Sequence, residues 1–210
     1  MRRSIERPTR PSEPVPDAVA RFAFSPLAPS VFDTVRLFDY SYDPGRVGIA
    51  TRLWRLGDGT TTDAAAPSHR YAEDGEYVVS LEVTTADGRV ALAEQRVSVS
   101  THDVTVTVVD APEAASPGEI RRVAVSVRSR RPRETVQVEL LRSTRGGRQA
   151  IGALTRTIEG REAEFSFEYA FTADDAAAGP LTFEALATIV GARDALPGDN
   201  VASAAPTIVR

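Results

Sequence analysis

The chain has 210 residues, 42% hydrophobic and 26% charged, enough for one large domain or for two of about 100 residues, each with its own core. Its net charge of −4 divides as +1 over residues 1–20, −3 over 21–100 and −2 over 101–210, so no segment carries the basic footprint of a general nucleic-acid binder. The chain has no cysteine, which excludes disulfides, thiol catalysis and thiolate metal sites, and no apolar run reaches the roughly 18 residues of a membrane-spanning helix.

Residues 1–17 hold four Arg and four Pro with almost nothing apolar, the composition of an extended or disordered solvated arm. The first eight residues, Met1 to Pro8, start basic but lack the apolar centre of a signal peptide. All 25 basic residues are Arg; coding bias in a GC-rich genome accounts for this, and the abundant Ala suits that account.

From Val19 to Ser100 short strands alternate with turn chemistry. Strands are expected at Val19–Phe24, Thr34–Tyr42, Ile49–Leu56, Glu76–Thr85 and Val90–Val99. Asp43-Pro44-Gly45 closes the second, and Asp87-Gly88 makes a hairpin turn between the last two. Tyr77, Val79, Leu81 and Val83 recur with a period of two, which half-buries one face of a sheet. In the return strand the apolar parity moves from Val90 and Leu92 to Val97 and Val99, so a bulge is expected near Ala93 to Arg96.

Trp54, Gly57-Asp58-Gly59, Pro67, His69, Tyr71, Gly75, Tyr77, Val79, Leu81 and Val83 stand in an order and spacing that resembles a PKD (polycystic kidney disease) domain over residues of about 18–100. Two departures are Leu56, where Phe is usual, and Phe38-Asp39-Tyr40-Ser41-Tyr42-Asp43 in place of a Ser-rich stretch. The resemblance implies an immunoglobulin-like β-sandwich outside the cell, used as a spacer or adhesive module and without catalysis.

A second unit begins at residue 101. Strands are expected at Val104–Val109, Ile120–Ser129, Thr135–Leu141, Gln149–Thr157, Ala163–Thr172, Leu181–Val190 and Val201–Val209. Alternation is clear in Val123, Val125 and Val127, in Val136, Val138 and Leu140, and in Phe165, Phe167, Tyr169 and Phe171. With Pro117-Gly118-Glu119 before a Val-rich strand and Gly198-Asp199-Asn200 near the end, this half resembles a CARDB module (cell-adhesion-related domain of bacteria), or more loosely a fibronectin type III sandwich, over residues of about 102–210. The expected fold is therefore all-β, with two tandem immunoglobulin-like sandwiches, 18–100 and 101–210, behind the arm at 1–17.

Candidate sites are few. His69 and His102 are the only His, and no Gly-x-Ser-x-Gly, HExxH or phosphate loop occurs, so no enzyme is expected. His69 is read as a structural hydrogen-bonding residue. Asp58, between two glycines, is read as an acceptor of backbone N–H groups that holds its turn. Asp33, Asp39 and Asp43 flank one strand, and Asp194 and Asp199 cluster near the end; loop carboxylates suit Ca²⁺, although no EF-hand spacing is present. No other cofactor is expected. Phe38, Tyr40 and Tyr42 share an outward face if Val35 and Leu37 point inward, and such a row would stack on sugar rings or anchor a protein. Nine Arg lie between Arg121 and Arg148; among them Arg128, Arg130, Arg131 and Arg133 form a patch suited to an acidic glycan, phosphate or protein partner.

The function that follows is non-enzymatic: a surface-exposed module of an extracellular or cell-surface protein that contacts protein or glycan or acts as a spacer. Two alternatives stand beside it. One is a phage capsid or tail decoration protein on the virion surface, anchored by the arm; the other is a carbohydrate-binding accessory to a hydrolase. Neither nucleic acid nor a membrane span enters any of them, and oligomeric state stays open.

Overall fold

The computed structural model describes residues 14–210, which divide between Ser100 and Thr101 into two compact units. Most of the arm at 1–17 lies outside the described residues. In its last residues the Pro16 carbonyl accepts a hydrogen bond from Arg89.

The first unit contains β1 (Phe22–Ser25), β2 (Val35–Asp39), β3 (Ile49–Arg55), β4 (Thr61–Thr62), β5 (Ser68–His69), β6 (Gly75–Thr85) and β7 (Val90–Val99). They form two sheets, ordered β1-β2-β5 and β4-β3-β6-β7. Val79, Leu81 and Val83 of β6, Trp54 of β3 and Val35 and Leu37 of β2 are all buried in one core, the outcome the period of two requires. The Phe22 ring meets Trp54 edge to face at 5.2 Å, and the indole N–H donates to the Ala64 carbonyl at 3.1 Å, so the one polar atom of the buried Trp is satisfied.

The bulge expected near Ala93 to Arg96 is absent. β6 and β7 pair in unbroken register from Gly75↔Val99 to Thr84↔Val90. The inward positions of β7 are Ala91, Ala93, Gln95, Val97 and Val99, while Val90 and Leu92 face outward, 59% and 56% exposed. Small Ala side chains fill the inner face, and Gln95 is tied by its Nε2 to the Phe22 carbonyl at 2.5 Å, so side-chain size was a poor guide to side-chain direction. β2 is also shorter than expected and stops at Asp39, whose Oδ1 accepts the Ser41 N–H at 2.7 Å.

The second unit contains β8 (Val104–Asp110), β9 (Ala114–Ala115), β10 (Ile120–Ser129), β11 (Glu134–Thr144), β12 (Gly147–Ile158), β13 (Glu162–Ala170), α1 (Ala173–Ala178), β14 (Thr182–Ile189), β15 (Val201–Ser203) and β16 (Ile208–Val209). Its sheets run β13-β10-β8 and β12-β11-β14-β15, with a small parallel pair β16-β9. Phe165, Phe167, Phe171 and Phe183 fill the core with Val123, Val125, Val127, Val136, Val138 and Leu140.

Two details depart from the expected strands. The stretch 201–209 is not one strand: β15 pairs antiparallel with β14, and β16 pairs parallel with β9. Pro206 lies between them and has no N–H to continue a ladder. β13 stops at Ala170, two residues before the expected end, and is followed by a helical turn not foreseen in the sequence, α1. Thr172 caps it, its Oγ accepting the Asp175 N–H at 3.2 Å while Asp175 Oδ2 accepts the Thr172 N–H at 2.9 Å.

Candidate functional site

The turn Gly57-Asp58-Gly59 follows β3 and needs its glycines, with φ of +89° at Gly57 and +94° at Gly59. A Cβ on Gly57 would lie 2.8 Å from the Val78 carbonyl oxygen, whereas one on Gly59 would meet open space. Asp58 Oδ1 accepts the Thr60 N–H at 3.0 Å, and Oδ2 lies 2.6 Å from His69 Nε2. Burial works to raise the Asp58 pKa, but the Thr60 N–H and His69 outweigh it and hold the carboxyl below its usual value. Tyr71 is buried, stacks on Tyr77 at 4.0 Å and donates its hydroxyl to the Leu56 carbonyl at 2.9 Å. Tyr77 in turn donates to the Glu73 carbonyl at 2.9 Å. The polar side chains of this motif are therefore engaged in closing the end of the sandwich.

Asp33, Asp39 and Asp43 are not brought together as a calcium site. Asp33 Oδ2 accepts from the Ser30 N–H at 2.7 Å and the Ser30 hydroxyl at 2.6 Å. Asp39 accepts from Arg52 Nε at 2.5 Å; burial raises its pKa, and Ser41 and Arg52 together pull it down further. Asp43 takes both arms of Arg89, at 2.8 and 3.0 Å, and the N–H groups of Gly45, Val47 and Gly48. The Arg89 fork, with those N–H groups, holds Asp43 far below the usual carboxylate range. Among the described residues no group of three or more His, Cys, Asp or Glu is placed to hold a metal ion.

The aromatic row is laid bare. Val35 and Leu37 are buried, and Phe38, Tyr40 and Tyr42 stand on alternate positions at 39%, 58% and 55% exposure. Asp39 turns inward to Arg52, and Ser41 is bonded to Arg21 of the neighbouring segment. Backbone bonds Tyr40 N–H to Arg21 carbonyl at 2.8 Å and Tyr42 N–H to Val19 carbonyl at 2.9 Å extend the pairing past β2.

In the second unit the four Arg of the expected patch lie on β10 and in the connection between β10 and β11. Arg128 lies on β10 opposite Glu162 of β13. Arg130 donates its N–H to the Asp103 carbonyl at 2.9 Å, and Arg131 makes a tight turn with the Ser129 hydroxyl. Arg133 adopts a positive φ of 62° and donates its N–H to the Ile158 carbonyl at 2.7 Å. Two acids that sequence reasoning passed over are more deeply set. Asp175 is fully buried and accepts from Arg142, the Tyr169 hydroxyl and Thr172; the spacing Thr172-x-x-Asp175 was its signal. Asp103 has a buried Oδ1 with no hydrogen-bond partner. Burial, with Asp194 and Asp199 nearby, pushes its pKa up to about 6 against the pull of Arg130. Asp194 and Asp199 are themselves bonded to Val104 N–H at 3.1 Å and the Thr105 hydroxyl at 2.9 Å. No helix among the described residues is long and apolar enough to cross a membrane.

The family model for the PKD domain matches residues 19–101. A microbial collagenase of Vibrio alginolyticus is 44% identical over 52 residues, a segment that is 25% of this chain and 6% of that protein. The PKD1 domain of the Vibrio cholerae metalloprotease PrtV is 32% identical over 40% of this chain and 99% of that one, with a TM-score of 0.37. A CARDB domain from Pyrococcus furiosus is 17% identical over 52% of this chain and 90% of that one, with a TM-score of 0.41.

Proposed function

We propose that this chain is a non-catalytic attachment module of a protein displayed outside the cell, and that Phe38, Tyr40 and Tyr42 form its contact face with a protein or glycan surface. The observation that carries this reading is the exposure of three aromatics on alternate positions of one paired segment. Aromatic rings bury large area on contact at little entropic cost, and Tyr adds a hydroxyl that works at a wet boundary. Two further findings support it: the PKD match over residues 19–101, and the short identity with a collagenase, of which this chain covers only 6%. On this reading the module holds a larger protein on the surface that it acts upon.

The test is co-sedimentation of the full chain with insoluble collagen, cellulose and chitin. The expected result is retention on one of these, reduced about tenfold in the double variant Tyr40→Ser/Tyr42→Ser, a loss in keeping with about 1–1.5 kcal/mol for two rim aromatics. The variant should unfold at the same temperature, since both rings are exposed. Undiminished retention in the double variant would remove the aromatic face from the account; no retention on any of the three would remove the attachment role to these materials.

A further inference from the structure

Residues that face each other across neighbouring strands project on the same side of a sheet. In the sheet β1-β2-β5, Phe38 lies opposite Ala23, and Arg36 lies opposite both Ser25 and Ser68. The same register carried past β2 sets Tyr40 opposite Arg21 and Tyr42 opposite Val19. Phe22, Val35 and Leu37 are buried on the inner side. The outer side therefore carries a ridge of Arg36, Phe38, Tyr40 and Tyr42, about 20 Å long. Its neighbours at Arg36 and Phe38 are the small side chains of Ser25, Ser68 and Ala23, and at Tyr40 the neighbour is Arg21.

The charge on this side is positive. Arg21 and Arg36 are exposed and have no acidic partner among the described residues. Arg70, two positions beyond Ser68, is also exposed; its guanidinium donates to the Val31 and Phe32 carbonyls at 2.9 and 2.8 Å, which hold it in place without cancelling its charge. Asp39 and Asp43, the acids within the segment that forms the ridge, are spent on Arg52 and Arg89. Asp17 shares the outward parity of Val19 but precedes it by two positions, past the Tyr42 end of the ridge.

The backbone here has no row of donors for an added peptide strand. The N–H groups of Leu37, Tyr40 and Tyr42 go to the carbonyls of Pro67, Arg21 and Val19, and that of Ser41 goes to the Asp39 carboxylate. Recognition falls instead to ring faces and guanidinium groups. A pyranose offers a flat C–H face to an aromatic ring, and a uronate adds one carboxylate per sugar, the group that an Arg fork pairs with.

We propose that the outer face of β1-β2-β5 binds an acidic polysaccharide of uronate units, with Phe38, Tyr40 and Tyr42 against the sugar rings and Arg21, Arg36 and Arg70 on the carboxylates. This rests on the aromatic contact face proposed above and gives that face its ligand class.

The experiment uses the full chain and three fluorescein-labelled hexamers: hexagalacturonate, its methyl ester, which keeps the rings and loses the charge, and hexaglutamate, which keeps the charge and lacks the rings. Fluorescence anisotropy at low salt should show hexagalacturonate binding at least tenfold more tightly than either control. The double variant Arg21→Ser/Arg36→Ser should erase the difference between the acid and its ester, and Tyr40→Ser/Tyr42→Ser should weaken hexagalacturonate at least tenfold. Both variants should unfold at the temperature of the unaltered chain, since all four side chains are exposed. No binding of hexagalacturonate, or an ester that binds as tightly as the acid, would overturn the proposal. Hexaglutamate binding as tightly as hexagalacturonate would overturn it too and give the face to acidic protein. An Arg double variant that keeps full preference for the acid, beside a Tyr double variant that loses binding, would overturn the charge selection and leave the aromatic contact face standing. Undiminished binding in the Tyr double variant would overturn both.

Discussion

Replacing Tyr71 with Phe removes one oxygen from a buried site and leaves the ring where it is. The Tyr71 hydroxyl donates to the Leu56 carbonyl at 2.9 Å, joining the segment after β5 to the turn that follows β3. Burial, with Asp58 nearby, pushes the hydroxyl pKa up to about 12, so it is a neutral donor throughout the ordinary pH range. Phe keeps the 4.0 Å stack on Tyr77 and the edge contact with His69, and therefore creates no large cavity. What it leaves is a carbonyl at a buried residue, Leu56, without its donor, a loss of about 1–2 kcal/mol. The chain's single Trp, Trp54, is fully buried in the same unit, so intrinsic fluorescence during urea unfolding follows the first unit alone. With a slope of about 1–2 kcal/mol per molar urea, the midpoint should fall by about 1 M with the slope unchanged. Tyr77→Phe is the control: its hydroxyl bonds the Glu73 carbonyl at an exposed position, where water replaces the partner, and its midpoint should move by less than about 0.3 M. Equal shifts for the two variants, or none for Tyr71→Phe, would refute the claim that this hydroxyl locks the turn.

The two turn glycines should separate just as clearly in the same assay. Gly57→Ala places a Cβ 2.8 Å from the Val78 carbonyl oxygen and 2.9 Å from its nitrogen, both backbone atoms of β6, and should cost more than about 3 kcal/mol; Gly59→Ala meets open space and should cost only the conformational strain of about 1–2 kcal/mol. In the second unit Asp103 sets a pH dependence. Its folded pKa of about 6 lies above the reference 3.8, so the native state holds a proton that the unfolded chain has released, and stability falls as pH rises from about 4 to about 6. Asp103→Asn should abolish that fall, so that its melting temperature, followed by far-ultraviolet circular dichroism, exceeds that of the unaltered chain at pH 7.5 by more than at pH 4.5; parallel curves would show that Asp103 does not titrate in this window.

Much of the architecture was legible in the chain. Val79, Leu81 and Val83, and Val123, Val125 and Val127, declare their buried faces by spacing alone, because a strand presents alternate side chains to opposite sides. The glycine turn around Asp58 was legible for a similar reason, since positive φ excludes most other residues. The exposed aromatic row could be read as far as its parity, given that Val35 and Leu37 face inward. The error on β7 shows the limit of this reasoning: Val90 and Leu92 looked like core and Ala91 and Ala93 like surface, and the partner strand decided the reverse.

Sequence by itself determined which segments extend, where they turn and that each half closes a core of its own, because these follow from local conformational preference and from the periodic burial of apolar side chains. Tertiary structure alone decided who meets whom. Arg89 finds Asp43 across 46 positions, and Asp103 lies within the field of Asp194 and Asp199. The stretch 201–209 parts between two partners, and β12 is left as an outer strand. Such long-range pairings depend on the order in which strands lie side by side, and no short-range pattern encodes that order.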